Sequence, residues 1–218
     1  SASFSMHKGK WDFYTFGSGT WTMKDKGGTS SARLYKNGTN GFTSTGNISQ
    51  PAKNLNIYAG AFYAIDSVRS IGAEVGFFNH YTDLETTSNS ILNIGKESYN
   101  SNADYSQKMN FNMYSASINY QRKFDENGSA FKILADYARK ESTNKDFYDI
   151  HWLWNNNDTT YRSHLTSNYD IASADMSYKK ECSGKTSLQT GLKFTTTQMN
   201  NNNNYQSLQN NVWNELAS

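Results

Sequence analysis

Strict two-residue alternation constrains this chain more than any other feature. In "NLNIYAGAFYAIDSVRSIGAEVGFFNHY", residues 54–81, Leu55, Ile57, Ala59, Ala61, Tyr63 and Ile65 share one parity. Asn54, Asn56, Tyr58, Gly60, Phe62 and Ala64 share the other. After a short D-S-V-R-S segment, Ile71, Ala73, Val75 and Phe77 oppose Gly72, Glu74, Gly76, Phe78 and His80. Successive side chains of a strand point to opposite faces, so the segment reads as an antiparallel hairpin with one apolar face. The pattern recurs. Tyr114, Ala116, Ile118 and Tyr120 oppose Ser115, Ser117 and Asn119; Phe131, Ile133, Ala135 and Tyr137 oppose Lys132, Leu134 and Asp136. Ala172, Ala174, Met176 and Tyr178 oppose Ser173, Asp175 and Ser177, and Leu188, Thr190, Leu192 and Phe194 oppose Gln189, Gly191 and Lys193.

Charge decides what the apolar parity touches. Glu74, Lys132, Asp136, Asp175 and Lys193 all fall on the polar parity. A Lys or Arg on the lipid face near the bilayer midplane costs roughly 2–4 kcal/mol, so a face that meets lipid is kept free of charge. A one-residue slip would turn these groups outward together, which specifies register strongly. Tyr63, Tyr120 and Tyr178 lie on the apolar parity within a few residues of a turn, as an aromatic girdle requires, with the ring in the lipid boundary and the hydroxyl in water. The apolar parity is also rich in Ala and Thr, and Tyr and Phe occur on both parities. Neither supplies the bulk of a dense soluble core.

The spacing of turns gives the architecture. Tight reversals stand at "HKGK" (7–10), "DSVRS" (66–70), "FDENGS" (124–129) and "KECSGK" (180–185). They alternate with long polar stretches at roughly 25–53, 83–108, 140–167 and 197 to the end, the last with Asn200 through Asn204 in a row. Trimmed turns on one edge and long connections on the other are the layout of an outer-membrane barrel, short on the periplasmic side and long outside. The expectation is an all-β, antiparallel up-and-down meander of about eight strands, one domain over residues 1–218, forming a portion of a transmembrane β-barrel. A soluble sheet with one face on a core would give the same alternation and is the competing architecture.

Composition fits. A mean hydropathy of -0.81 is very hydrophilic, yet the 15% aromatic content is not that of a disordered chain. No stretch approaches the ~18 apolar residues of a membrane helix, and the first ten residues lack the apolar core of a signal peptide. A lone Cys182 forms no internal disulfide and argues against a cysteine zinc site. A net charge of +2 gives no sign of a nucleic-acid partner.

Three stretches carry a resemblance to a known family. "HKGKWDFYTFGSGTW" resembles an early hairpin with a basic-glycine turn and an aromatic strand, and "SINYQRKFDENGSAFKILADYARKE" a strand, acidic turn and strand ending in Asp-Tyr. "SADMSYKKECSGKTSLQTGLKF" resembles an Asp-x-x-Tyr strand with a Gly-Leu-Lys return. Together they resemble the outer-membrane β-barrel proteins of Bacteroidota related to TonB-dependent receptors. That resemblance implies nutrient uptake through a barrel of about twenty-two strands around an N-terminal plug. The implied partners are outer-membrane lipid, the plug of the same parent protein, an energy-coupling periplasmic protein and a small ligand. This chain shows about eight strands, no plug, and an end, "NVWNELAS", that reads as a loop. It is therefore expected to be an internal portion of a longer barrel. A complete eight-stranded barrel is the second reading, because "SASFSM" is short of the ~9–11 residues a tilted spanning strand needs.

Few residues point to chemistry. "SGKT", 183–186, lacks the Gly of a phosphate loop, since Lys179 stands at that position. His7, His80, His151 and His164 are dispersed, and no nucleophile signature occurs, so no metal, cofactor or catalysis is expected. Glu74, Asp136, Asp175 and Lys193 are expected to face the lumen. "DFYDIHWLW", 146–154, concentrates aromatics in the third long stretch. Phe147, Tyr148, Trp152 and Trp154 are expected either to pack over the barrel mouth or to contact a ligand such as a glycan or peptide. A soluble or surface-exposed β-sheet module that binds a glycan or peptide, such as a carbohydrate binder using Trp152 and Trp154, is the alternative function. Sequons at Asn37 and Asn157 are chance matches outside a eukaryotic secretory route.

Overall fold

The alternation becomes one continuous antiparallel sheet. A computed structural model describes residues 1–23, 26–35, 40–126, 128–182 and 186–216. Its strands are β1 (Ala2–Lys8), β2 (Trp11–Thr22), β3 (Lys26–Leu34), β4 (Gly41–Ser49), β5 (Ala52–Ala64) and β6 (Arg69–Ile94). There follow β7 (Glu97–Lys123), β8 (Ala130–Trp152), β9 (Asn157–Glu181), β10 (Ser187–Gln209) and β11 (Val212–Glu215). The path runs β1-β2-β5-β6-β7-β8-β9-β10-β11, with β4 beside the upper part of β6 and β3 beside β4. Edge does not meet edge among the described residues, so the sheet is open. The count is eleven strands rather than about eight. Part of the excess comes from Pro51, which lacks an N–H. It splits β4 from β5, although both pair with β6 in one unbroken register, Ser49 with Glu85 and Ala52 with Thr82.

The short turns are as expected. Gly9 takes φ 63° between β1 and β2. Asp66 caps the next turn, accepting from the Val68 and Arg69 backbone N–H groups at 3.0 and 2.8 Å. Asp125 accepts from the Ser129 N–H at 2.9 Å, and the Cys182 N–H donates to the Thr186 carbonyl at 2.9 Å. The Asn127 position in one turn, residues 183–185 of the "SGKT" turn, the Asn37 sequon and residues 217–218 lie outside the described residues.

The long polar stretches are not loops. β6 and β7 stay paired to Ile94 and Glu97, β8 and β9 to Trp152 and Asn157, and β10 and β11 to Gln209 and Val212. Positive φ at Gly95, Asn156, Asn210 and Asn211 serves these upper reversals. The "DFYDIHWLW" segment is therefore strand through Trp152, and "NVWNELAS" contributes β11 rather than a loop. Both faces of these extensions carry Asn, Ser and Thr, so pairing continues without an apolar-polar alternation to announce it.

Cross-strand partners fix the two faces. Ile57 pairs with Phe77, Phe77 with Tyr114, Tyr114 with Arg139, and Ala135 with both Ile118 and Ala174, so the apolar parities of all strands share one side. The apolar band covers residues 55–63, 71–77, 114–120, 131–137, 172–178 and 188–196, seven to nine positions. That is about 23–30 Å along a strand. Above it the same side turns polar at Asn79, Asn112, Arg139 and Asp170, where Arg139 pairs with Glu141 at 2.8 Å and Asp170 at 3.6 Å. No charge interrupts the middle of the band.

This sheet has almost no core. Ala130 is the sole buried apolar residue among the described ones, whereas Ile57, Val75, Ile118, Leu192 and Phe194 stand exposed on the apolar side. The accessible surface is 15319 Å², against about 10,000 Å² for a compact monomer of this mass. A contiguous apolar face of this extent is not tolerated in water. A fluid apolar medium would cover such a face without needing close packing.

Candidate functional site: the polar face

Within the band, the polar face is built around glycine and one carboxylate. Tyr14 on β2 reaches across Gly60 on β5 and donates its hydroxyl proton to Glu74 Oε2 on β6. A Cβ at Gly60 would overlap the Tyr14 ring, and one at Gly72 would overlap the Phe62 ring, so the two glycines leave the room these rings occupy. Tyr14 and Phe62 stack at 6.0 Å between centroids. At the same level Asp136 accepts from Ser173 Oγ at 3.3 Å, and one step lower Asp175 faces Lys193 in register. Higher up, Lys140 lies over the Phe111 ring at 4.7 Å, and His80 Nδ1 donates to Asn54 Oδ1 at 2.5 Å. No group of three metal-ligating side chains occurs among the described residues.

The extensions carry a second cluster on the same face. Tyr105, Tyr148 and Tyr161 are cross-strand partners on β7, β8 and β9 and form one row across the sheet. Tyr105 and Tyr148 stack with centroids 4.4 Å apart. One step below runs a polar row of Gln107, Asp146 and Ser163, completed by Tyr205 on β10. Asp146 is saturated: Tyr105 Oη and Gln107 Nε2 donate to Oδ1 at 2.9 Å, and Ser163 Oγ and Asn144 Nδ2 donate to Oδ2 at 2.8 and 3.2 Å. Burial, reinforced by the Asp146 bond and then by Tyr148, raises the Tyr105 phenol above its ordinary pKa, so it stays a donor. Tyr148, Ile150, Tyr161, Arg162, Ser163 and Tyr205 line a shallow cavity of about 300 Å³.

The expected site residues divide. Glu74, Asp136, Asp175 and Lys193 do share the polar face. The four aromatics do not act as one group. Tyr148 and Trp152 belong to the polar face, with Trp152 Nε1 donating to Thr159 Oγ1 at 2.9 Å. Phe147 has the opposite parity and meets Trp213 edge-on at 6.5 Å, beside Arg162, whose guanidinium lies 4.1 Å over Trp213. Trp154 sits in the turn after β8, edge-on to Tyr99. Tyr105, Tyr161 and Tyr205 escape a reading by segment because they come from three other strands. Only cross-strand register assembles them.

Residues 122–218 match the model of the outer membrane protein beta-barrel family. With the charge-free outer band and the open antiparallel meander, this places the chain in the bacterial outer membrane. No curated protein matches the sequence. Among solved structures, the siderophore receptor PiuA from Acinetobacter baumannii is 8% identical with a TM-score of 0.19, over 94% of this chain and 47% of that one. The ferric citrate transporter FecA gives 9%, 0.18, 94% and 40%. OccK10 (OpdN) from Pseudomonas aeruginosa gives 8%, 0.16, 94% and 98%. The chain thus spans less than half the length of PiuA or FecA.

Proposed function

We propose that this sheet is part of the wall of a larger outer-membrane barrel that takes up a solute from the cell surface, as a TonB-dependent receptor does. The observation that carries the reading is the sorting of the two faces: a charge-free apolar band on one side, and Glu74, Asp136, Asp175 and Lys193 on the other. β1 and the membrane part of β10 each have one neighbour among the described residues. In hydrocarbon each unpaired backbone group costs several kcal/mol, so further strands pair these edges and close the barrel. A plug gating the lumen would rest against the polar face, and a periplasmic energy-coupling protein would act through that plug.

Sidedness tests this. Cys182 is exposed at a short turn, and Lys96 lies at the opposite end of the sheet between β6 and β7. A membrane-impermeant maleimide should label Lys96→Cys (in Cys182→Ser) on intact cells, and native Cys182 only after the outer membrane is permeabilised. Labelling of both sites on intact cells would end the proposal.

A further inference from the structure

Among the described residues no element covers the tyrosine row on the extensions. Tyr148, Tyr161 and Tyr205 are 39%, 36% and 47% exposed, although rings of this size are ordinarily driven under cover. They lie on the polar face, above the level at which Arg139 and Asp170 close the apolar band, and therefore beyond the lipid. Adjacent strands stand about 4.8 Å apart, so the Tyr105–Tyr148–Tyr161 row is about 10 Å long. It continues diagonally to Tyr205 and, four residues up β8 from Tyr148, to Trp152.

The chemistry around the row narrows what can bind. Asp146 is the only ionisable acid or base among its polar-face neighbours Gln107, Asn144, Ile150, Thr159, Ser163, Asn201 and Asn203. Its two oxygens already take four donors from the protein, so it has no call for a cation or an ammonium group. Arg162 borders the cavity, but it has the opposite parity and its guanidinium is engaged by the Trp213 ring and by Gln206 Oε1 at 2.6 Å. Lys132, Lys140 and Lys193 share this face but lie lower on the sheet, so no cation beside the row on this face would neutralise a carboxylate, a phosphate or an anionic metal chelate. What it does offer is flat rings with hydroxyl tips, and amides from the inward members of the asparagine run, Asn201 and Asn203 on β10. Rings stack on the C–H faces of a pyranose, while amides and phenols exchange hydrogen bonds with its hydroxyl groups.

We propose that Tyr105, Tyr148, Tyr161 and Tyr205 form a binding site for a neutral oligosaccharide on the extracellular part of the lumen wall. This rests on the proposed barrel reading and adds the ligand class. The site gives the asparagine run a role: alternate amides of a strand flanking the rings, rather than a featureless loop.

The test uses the full chain in detergent micelles, with maltoheptaose, cellohexaose, xylohexaose and mannohexaose as neutral probes and ferric citrate and oligogalacturonate as anionic ones, read by calorimetry. At least one neutral probe should bind. Tyr148→Ala with Tyr161→Ala should weaken it by about tenfold or more, the effect of losing two stacking rings. Phe147→Ala, of opposite parity, should leave binding unchanged and report that a change on β8 does not by itself disturb the sheet. Binding of an anionic probe alone, no binding of any probe, or neutral binding untouched by the double substitution would each overturn the assignment. Maleimide labelling of Lys96→Cys on intact cells, run alongside, separates the causes: labelled from outside without sugar binding, the ligand class fails; unlabelled from outside, the barrel reading fails.

Discussion

Ala135 and Asp136 are neighbours in sequence, and the sheet sends them to opposite solvents. Ala135 sits midway up the apolar band of β8, between Phe131 near the turn and Arg139 at the upper rim, with Ile118 and Ala174 as cross-strand partners. Arg at 135 has no carboxylate across either strand to meet and lies too far from both rims to reach water fully. The midplane cost of roughly 2–4 kcal/mol applies, a shift of about 30- to 700-fold in the folding equilibrium. Asp136 accepts one 3.3 Å bond from Ser173 Oγ on the polar face, and Asn keeps that acceptor. Its cost should stay within about 0.5 kcal/mol, typical of a wet position. Ala135→Arg, Ala135→Leu and Asp136→Asn in the full-length protein can be compared by the heat-modifiable, folded fraction recovered from outer membranes. The Arg variant should fall severely, with Leu and Asn near the parent level. Equal tolerance of Arg at 135 and Asn at 136 would refute the assignment of faces.

Two further outcomes follow from single contacts. Gly60→Ala should displace the Tyr14 ring and break its bond to Glu74, at a cost of roughly 1.5–3 kcal/mol for a hydrogen bond to a charged group. Gly17→Ala, where an added Cβ meets nothing within 4 Å, should cost far less in the same urea-unfolding series. The raised pKa of Tyr105 sets a pH dependence: its contribution to stability is complete below the ordinary phenol value of 10.0 and is lost as pH rises past it towards the folded-state value. Phenolate absorbance should lose one late-titrating tyrosine in Tyr105→Phe, and that variant should lose less stability at alkaline pH than the parent.

How much was legible in the sequence follows from where water lies. Within the membrane the two faces of each strand meet different solvents, so residue type is forced to alternate. Ile71 to Phe77 against Glu74, or Ala135 against Asp136, can be assigned to a side from the one-dimensional pattern. Once a strand rises above the lipid, both faces are wet and the selection on parity vanishes. That is why residues 83–108, 140–167 and 197–209 read as loops although, apart from the reversals at 95–96 and 153–156, they are paired strand. The same loss of contrast made Phe147, Tyr148, Trp152 and Trp154 look like one aromatic group.

By itself, then, the sequence determined the strand period, the tight turns and the charge-free face, because each is set by neighbours along the chain or by the solvent beside it. Tertiary structure decided the length of the strands and the membership of the tyrosine row. Tyr105 and Tyr161 are far apart along the chain and meet through Tyr148 only because hydrogen-bond register brings β7, β8 and β9 into line. The four donors that saturate Asp146 come from three of those strands, so the neutrality of the site is a property of the sheet and of no segment within it.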